Sequence, residues 1–382
     1  MQNIQSYPAA GDIVIFQPQF VEFGGEERVI FSLARELYAQ GKAHCVVCYE
    51  DSIDLATFAD RPLKVYQLKP GQSPLRRVLA LRSLLAYLHR TASPIPVLFN
   101  IQAAYHAGIA ASSPYHSRIP DTYRLLQALP DGGAPIPGRS FVRALRVSLT
   151  DHVCHLATRR GVRKATRFVT NTALLRDEMQ QLYGRAAEVV YLGGFGKPHH
   201  GPAKEIRGPV DLLTVSRLQT SKRIDWILHA VASLQREPGK HPLWRLHIVG
   251  SGPDQTALKE LAASLGLGGS VIFHGFVTDA QLKRLYESSH VFLMPAKQGF
   301  GLPAIEALYQ KLAVVVSDES GVVEILRDTP WVSVATGGKD GFCSSVKEML
   351  QRITQPGFFT QAIPELPTET LWAQKTIRYF NW

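Results

Sequence analysis

Short apolar stretches alternate with amphipathic stretches along most of this chain. The apolar stretches are rich in β-branched residues and bounded by Gly, Pro or polar residues, as buried strands are. Between them, apolar residues recur every three or four positions, which is typical of helices that pack through one face. Strands that alternate with helices predict a parallel sheet covered on both faces. The strands predicted in the first half are 12–17, 43–49, 97–101, 122–127, 167–170 and 188–192.

A second alternation follows a stretch rich in Gly, Pro and charge, at 193–209, which has the composition of a linker. At 382 residues the chain is long for one hydrophobic core, so we expect two doubly wound α/β domains. We predict an N-terminal domain over 1–197 and a C-terminal domain over 205–360, with the amphipathic helix 366–382 joined to the first. The strands predicted in the second half are 210–216, 245–250, 271–274, 291–295 and 313–317.

The chain is basic, with a net charge of +10, and part of the excess lies in two segments, 74–90 and 139–167. Two interpretations of these segments remain open. They predict either interfacial helices on an anionic membrane surface or ordinary surface helices with an apolar face in the core. Nucleic acid is not favoured as a partner, because the sequence has no zinc finger, no RNA-binding aromatic signature and no basic tail.

The apolar runs, the first residues and the cysteines of the chain predict its compartment and its metal content. No apolar run approaches the roughly 20 residues of a membrane span, and the first residues do not have the pattern of a signal peptide. Cys45 and Cys48 lie within a predicted buried strand, and no second Cys pair or His pair stands nearby to complete a zinc site. We therefore expect a cytoplasmic protein with buried thiols and no metal site.

Four loops that follow predicted strands of the second half suit a phosphorylated ligand. The carboxyl ends of parallel strands meet at one edge of a sheet, where helix N-termini favour anions. The first loop supplies the cations Arg217 and Lys222, and the others supply glycines and backbone amides. Two cations and backbone N–H groups suit a diphosphate. The other three loops are 251–253, 275–277 and 297–301.

The segment "KQGFGLPAIEALYQK", residues 297–311, has a phenylalanine between two glycines at the start of a predicted helix. Gly299 and Gly301 allow close approach of a ligand to the backbone, and the first helical turn tolerates Pro303. Amides of this loop can point at anionic or hydroxyl oxygens. Glu306, one turn into the helix, is a carboxylate that can accept two hydroxyl hydrogens, as from a ribose.

Together these motifs resemble the donor half of GT-B retaining glycosyltransferases of family 4, the glycosyl transferases group 1. The resemblance implies two Rossmann-like doubly wound domains that face each other across a cleft, one for an acceptor and one for a nucleotide-sugar donor. An N-terminal stretch, "GGEERVIFSLARELYAQG", resembles the glycine loop and first helix of that family. The donor-half motifs are "SRLQTSKRIDWILHAVASL", "LHIVGSGP", "VIFHGFVTDAQLKRLYESSHVFLMPAKQGFGLPAIEAL" and "GVVEIL".

The resemblance implies a role for each matching position. Arg217 and Lys222 match the cation pair on the donor diphosphate, and Glu306 matches the second glutamate of the E-x7-E motif, which holds the ribose. The glycine-containing loops match those that contact the base, the sugar and the phosphates. The donor-binding residues implied in this way are Gly24, Gly25, Gly275, Phe276, Val277, Gly299, Phe300, Gly301, Leu302 and Glu306.

Two features depart from the family pattern. Gln298 stands where the first glutamate of E-x7-E is expected, and an amide brings no negative charge near a developing oxocarbenium ion. We still assign it to the catalytic group with the two cations, since it can hydrogen-bond sugar hydroxyls. Gln127 ends a predicted strand where the family often has a His on the acceptor side. His106 and His116 lie upstream as alternatives, and the choice among the three stays open.

The resemblance implies a retaining glycosyltransferase that moves a sugar from a nucleotide-diphosphate sugar to a hydroxyl acceptor. The cations and amides would stabilise the leaving diphosphate, so we expect no cofactor and no metal. A lipid-linked acceptor and a role in cell-surface polysaccharide or glycolipid synthesis extend this expectation. The alternatives are a non-catalytic nucleotide-sugar-binding partner of an active transferase, and an epimerase or phosphorylase on the same architecture.

Overall fold

The chain divides into two compact units. The computed structural model describes residues 7–21, 23–121, 141–195, 201–237, 239 and 241–382, and within the helix that begins at 141 it describes side chains from 153 onward. Unit 1 takes its described residues from Met1–Leu126, Ala134–Gly193 and Pro367–Trp382, and unit 2 from Gly194–Leu366.

Unit 1 is built on a parallel sheet with strand order β5-β3-β1-β6-β7-β8-β9 in the described residues. Its strands are β1 Ile13–Phe16, β3 His44–Cys48, β5 Val65–Gln67, β6 Val97–Phe99, β7 His116–Arg118, β8 Phe168–Thr170 and β9 Glu188–Val189, and the pair β2 Gln19–Phe20 and β4 Glu50–Asp51 lies beside it. Its α-helices are α1 Gly25–Ala39, α2 Pro74–Arg90, α3 Asn100–Ala110, α4 Phe141–Lys164, α5 Ala173–Tyr183 and α12 Glu369–Phe380.

Hydrophobic burial explains why the sequence predicts the central strands of unit 1 well. Every residue of β1 is buried, as is the Cys45–Cys48 part of β3. The strand predicted over 97–101 ends earlier, at Phe99, because Asn100 adopts a φ of +69° and its side chain accepts the backbone N–H of Gln102 at 3.0 Å. With this local hydrogen bond, α3 begins at Asn100 and takes up the last two residues of the predicted strand.

Strand β7 and a close helix crossing in unit 1 are among the features that were not predicted from the pattern. Strand β7 carries polar residues and was not expected at 116–118, yet it pairs with β6 and β8. Helices α3 and α4 cross closely, since a Cβ on Gly108 would lie 1.8 Å from the Ala157 carbonyl oxygen and one on Gly161 would lie 1.9 Å from that of Ala104. Contacts this short require glycine on both helices.

The cysteines of β3 behave as the sequence predicts. Cys45 and Cys48 are buried and are not joined in a disulfide. Burial raises the pKa of each thiol to about 12, so both are neutral and unreactive at neutral pH.

Unit 2 is built on a parallel sheet of order β12-β11-β10-β13-β14-β15 in the described residues. Its strands are β10 Val210–Val215, β11 Trp244–Val249, β12 Val271–Gly275, β13 Val291–Met294, β14 Ala313–Ser317 and β15 Val332–Ala335. Its α-helices are α6 Ile224–Gln235, α7 Gln255–Ser264, α8 Asp279–Ser288, α9 Leu302–Tyr309, α10 Val323–Leu326 and α11 Gly338–Ile353.

The topology of unit 2 fixes where a ligand site can form. All strands run parallel, so the loops that follow them share one edge of the sheet. The strand order reverses beside β10, which has β11 on one side and β13 on the other. Ligands of open α/β sheets bind at such a switch point, outside the carboxyl ends of the strands. Within the part of the chain that the structure describes, no helix is both long and apolar enough to cross a bilayer.

Candidate functional site

The loops that follow β10 and β13 meet at the switch point of unit 2. Arg217 is exposed two residues after β10, and Lys222 ends a 3-10 turn, Thr220–Lys222, in the same loop. The Lys222 Nζ donates a hydrogen bond of 2.8 Å to the Oε1 of Gln298, in the loop after β13. The structure therefore brings together two of the three residues that the sequence assigns to the catalytic group, although they lie 76 positions apart.

The loop that carries Arg217 is held by the loop after β11. The Leu218 amide donates to the Ser251 carbonyl at 2.9 Å, and the Ser216 amide donates to Val249 at 3.1 Å. Gly250 adopts a φ of +122°, and a Cβ at this position would lie only 1.9 Å from the Ser216 carbonyl oxygen. Gly250 and Gly252 thus allow two loops to pack closely at the candidate site. The glycine motif of dinucleotide-binding proteins would not predict this role.

The glycine-flanked loop after β13 ends in the predicted helix start. Gly301 adopts a φ of +124° as the N-cap of α9, and Pro303 lies in the first turn, as expected. A Cβ on Gly301 would lie 2.8 Å from the Met294 Cε and 2.9 Å from the Gln298 Nε2. The side chains of Phe300 and Leu302 are buried, so these two residues offer a ligand their backbone rather than their side chains.

Glu306 lies one turn into α9 and is half-buried. The hydroxyl of Tyr286 donates a long hydrogen bond, 3.4 Å, to its Oε2. Tyr286 itself is almost fully buried and stacks on Phe292 with ring centroids 6.0 Å apart. Tyr286 lies on α8 within one of the quoted donor-half motifs, but no role was predicted for it from the sequence.

The loop after β12 presents an aromatic ring to solvent. Gly275 ends the strand with a φ of +66°, and its carbonyl accepts the Gly250 amide at 2.8 Å. Phe276 then has 89% of its surface exposed, the highest value among the exposed large apolar side chains of the described residues. An exposed ring at this edge offers a face on which a flat ligand group can stack.

A cluster of charges that the sequence analysis missed surrounds Lys222. Arg223 pairs with Glu319, which follows β14, and Glu319 also lies 3.4 Å from the Nζ of Lys297. The hydrogen bond from Arg223 lowers the pKa of the Glu319 carboxyl. The sequence did contain a signal for Glu319, because this residue follows a predicted strand and therefore lies at the carboxyl edge of the sheet with the other loops.

The predicted glycine loop of unit 1 lies at the start of α1, where Gly24 is the N-cap. The Gly24 amide donates to the Glu27 Oε2 at 2.9 Å, and Glu26 pairs with the buried Arg118. The amide that was expected to meet phosphate is thus bonded to a carboxylate of its own helix, in the manner of a capping box. Phosphate contact by Gly24 and Gly25 stays a prediction, and in the case of Gly24 it requires Glu27 to release the amide.

The two histidines proposed for the acceptor side are core residues in this structure. The His106 Nδ1 is hydrogen-bonded to the Tyr49 hydroxyl at 3.1 Å, and the His116 ring stacks on Phe380 with centroids 4.7 Å apart. Burial lowers the pKa of each imidazole to about 4, so both are neutral at pH 7. Gln127, the third candidate, lies outside the described residues. An acceptor-side role for any of the three stays a prediction.

A cavity of about 570 Å³ in unit 2 lies away from the carboxyl edge of the sheet. Its charged side chains are already used within the protein. Arg245 forms two hydrogen bonds with Asp211, of 2.8 and 3.0 Å, and the Lys204 ammonium donates to the carbonyls of Tyr286 and Ser289 at the end of α8. We therefore place the candidate site at the carboxyl edge. Among the described side chains, no group of three or more His, Cys, Asp or Glu is arranged to hold a metal ion.

Comparison with solved structures confirms the predicted fold class. The HepE protein of Anabaena, crystallised in complex with UDP, aligns with a TM-score of 0.64 and 18% identity, over 96% of this chain and 95% of that chain. The chain has the GT-B fold, with two Rossmann-like α/β domains.

The family resemblance is also confirmed. Residues 200–348 match the family model of glycosyl transferases group 1. An uncharacterized glycosyltransferase of Methanocaldococcus jannaschii is 36% identical over 118 residues, 30% of this chain and 29% of the relative. The D-inositol 3-phosphate glycosyltransferase of Acidothermus cellulolyticus is 30% identical over 219 residues, 53% of this chain and 46% of the relative. The chain thus matches less than half the length of these curated relatives.

Proposed function

We propose that this protein is a glycosyltransferase that moves a sugar from a nucleotide-diphosphate sugar to a hydroxyl acceptor. The observation that carries the proposal is the position of Lys222, at the sheet switch point beside Gln298 and the start of α9. Fixed cations and a helix N-terminus at a switch point suit a diphosphate. The two relatives are named as glycosyltransferases, and they and the UDP in the Anabaena structure support the same donor class.

The proposed mechanism depends on stabilisation of the leaving group. As the bond between the anomeric carbon and the phosphate oxygen breaks, negative charge grows on the diphosphate, where Arg217 and Lys222 meet it. Because these fixed cations supply the neutralising charge, the proposal includes neither a metal nor another cofactor. Glu306 would hold the ribose and Phe276 would stack on the base. Retention of anomeric configuration is part of the proposal, and no nucleophile is assigned.

We further propose a cytoplasmic enzyme of polysaccharide or glycolipid synthesis whose hydroxyl acceptor, taken up mainly by unit 1, is lipid-linked. The support is the exposed face of α4. Arg159, Arg160, Arg163 and Lys164 line a cavity of about 410 Å³ together with Leu156, and Leu156 and Val153 are both more than half exposed. These positions recur at helical spacing, which gives one face both cations and apolar side chains. Such a face suits an anionic membrane surface.

The second basic helix, α2, gives weaker support, because most of its apolar side chains are buried, although Leu75 and Leu79 are exposed. Its leucines at 81, 84, 85 and 88 are buried in the core of unit 1, and Arg77 is buried against the ring of Tyr49, with its guanidinium 5.6 Å from the ring centroid. The interpretation of α2 as an ordinary surface helix is therefore the better one. Its exposed arginines provide a control for α4.

The membrane proposal predicts salt-dependent binding to anionic vesicles. Each cation near such a surface contributes about 1 kcal/mol, so replacing Arg159, Arg160 and Arg163 together by Gln should weaken partitioning at least tenfold. The matched control replaces three exposed arginines of α2, at 76, 82 and 90, which should change partitioning less than threefold. Sedimentation with phosphatidylglycerol vesicles and with neutral phosphatidylcholine vesicles measures both. Equal binding to the two kinds of vesicle contradicts the proposal.

The donor proposal predicts that a nucleoside diphosphate stabilises the chain. With free ligand at about 100 times its Kd, the unfolding free energy should rise by about 2.7 kcal/mol, which a thermal-shift panel of UDP, GDP and ADP detects. The sugar donor of the selected nucleotide should then be consumed slowly with release of the diphosphate. NMR of the first product should show the anomer of the donor, and EDTA should leave the rate unchanged.

Three other outcomes of this experiment decide against the proposal. Binding of a nucleoside diphosphate without turnover, with or without added acceptors, supports the non-catalytic partner, which the neutral amide of Gln298 favours. Conversion of the sugar nucleotide to an epimer without release of diphosphate supports the epimerase. Stabilisation by none of the nucleotides contradicts the nucleotide-sugar donor itself.

A further inference from the structure

Arg223, the residue directly after Lys222, has a strained backbone. Its φ of +53° lies in the left-handed region, where a residue with a Cβ costs on the order of 1 kcal/mol. The residue also closes the turn, since its amide donates to the Thr220 carbonyl at 3.1 Å and its carbonyl accepts from Trp226 at 3.0 Å. Because the neighbouring Lys222 shares this turn, whatever holds Arg223 in place also sets the direction of the Lys222 side chain.

Three contacts of the Arg223 guanidinium hold this conformation. It donates to the carboxylate of Glu319 and to the carbonyl of Pro295, the latter at 3.3 Å, and it lies 4.3 Å from the centroid of the Trp226 ring. A charge-assisted hydrogen bond and a cation–π contact together offset a backbone cost of this size. The anchor of the turn is therefore Glu319, because the other two contacts are weaker.

Glu319 joins the loops after β10, β13 and β14. Its second carboxylate oxygen faces the Lys297 Nζ at 3.4 Å, and its backbone carbonyl accepts the Gln298 amide at 3.3 Å. Gln298 in turn accepts from Lys222 at 2.8 Å. Lys222 is thus located from both sides, through Arg223 along the chain and through Gln298 across the loops. The first route begins at the Glu319 carboxylate and the second at its backbone carbonyl.

We propose that Glu319 is a positioning residue for the donor diphosphate, which fixes the ammonium group of Lys222 through Arg223 and Gln298. The inference rests on the proposed function, because it assigns Lys222 to the diphosphate. Glu319 itself does not contact the donor in this proposal. Its carboxylate would repel a diphosphate if it were free, and the two cations that flank it remove that repulsion.

The proposal is tested by a double-mutant cycle in UDP affinity, measured by calorimetry. Glu319→Gln should weaken UDP binding about fivefold, because Lys222 is released from its position. Lys222→Met should weaken it more. In the Lys222→Met background the Glu319→Gln change should then alter the Kd less than twofold, since the group on which Glu319 acts is gone. A purely structural role of Glu319 would lower the affinity equally in both backgrounds.

The matched control is Glu237→Gln. Glu237 has a similar side-chain exposure, 34% against 37% for Glu319, and pairs with Lys347 beyond the other end of α6. UDP affinity should not change in this variant. If Glu319→Gln does not fold, Arg223→Gly serves instead, because glycine accepts the positive φ while the anchor is lost, and it should show the same coupling to Lys222.

The outcomes separate this inference from the proposed function. Binding of UDP by the parent protein together with a Glu319→Gln variant of unchanged affinity overturns the positioning role alone. Equal losses in the two backgrounds overturn it as well. A parent protein that binds none of the nucleoside diphosphates of the panel overturns the proposed function and, with it, this inference.

Discussion

Replacing Lys222 by Met should lower the kcat of sugar transfer or donor hydrolysis about 100-fold, and replacing Arg217 as well should bring the loss to about 1,000-fold. Methionine keeps most of the length of the lysine side chain and removes only its charge. The loss falls mainly on kcat, because the charge on the leaving diphosphate is greatest in the transition state. Initial rates at saturating donor give kcat, and the donor titration gives KM.

Lys283→Met is the control for this prediction. The side chain of Lys283 lies on α8 of the same unit, is 70% exposed and forms a distant ion pair with Glu287, at 3.8 Å. Its replacement should leave kcat within twofold of the parent. A Lys222→Met variant that retains more than a third of the parent kcat while folding normally would contradict the leaving-group role.

The sequence predicts the central strands of unit 2 well because they are buried on both faces. The residues of β14, "AVVVS", are all buried, and so are those of β13. Continuous apolar runs bounded by glycine and polar residues identify such strands without any knowledge of the fold. Once the strands are known to run parallel, their following loops must share an edge, so the neighbourhood of Arg217, Lys222 and Gly301 also follows from the sequence.

The contacts within that edge could not be predicted in the same way. The bonds from Glu319 to Arg223 and from Tyr286 to Glu306 join elements whose distance depends on how helices pack on the sheet. The sequence also does not reveal that a non-glycine residue such as Arg223 has a left-handed backbone conformation. Such tertiary contacts and backbone conformations determine where a side chain points, whereas the sequence pattern predicts only which residues lie near it.

Unit 1 shows a different limit of sequence reasoning. The burial of His106 and His116 depends on Tyr49 and Phe380, which lie far from them in the sequence. The bond from the Gly24 amide to Glu27, by contrast, joins residues only three positions apart, the spacing of a capping box. This local contact accounts for the start of α1 without a ligand.

Gly250→Ala should both destabilise unit 2 and impair the donor site. The φ of +122° at Gly250 is unfavourable for alanine, and the added Cβ would lie 1.9 Å from the Ser216 carbonyl oxygen, immediately before Arg217. The backbone strain and the steric overlap should lower the unfolding free energy by about 3 kcal/mol. Denaturant titration measures this loss, and calorimetry with UDP should show a weaker affinity, because relief of the overlap displaces Arg217.

Gly268→Ala separates this effect from a general cost of losing glycine. A Cβ on Gly268 would meet nothing within 4 Å, so stability and UDP affinity should change little. If Gly250→Ala loses stability but keeps the parent UDP affinity, the loop that carries Arg217 has moved without consequence, and Arg217 does not contact the diphosphate. If both variants keep the stability and UDP affinity of the parent, the close approach of Gly250 to Ser216 does not hold the loop that carries Arg217 in place. Loss of both properties in Gly250→Ala alone means that loop packing at the switch point is what places Arg217 for the donor.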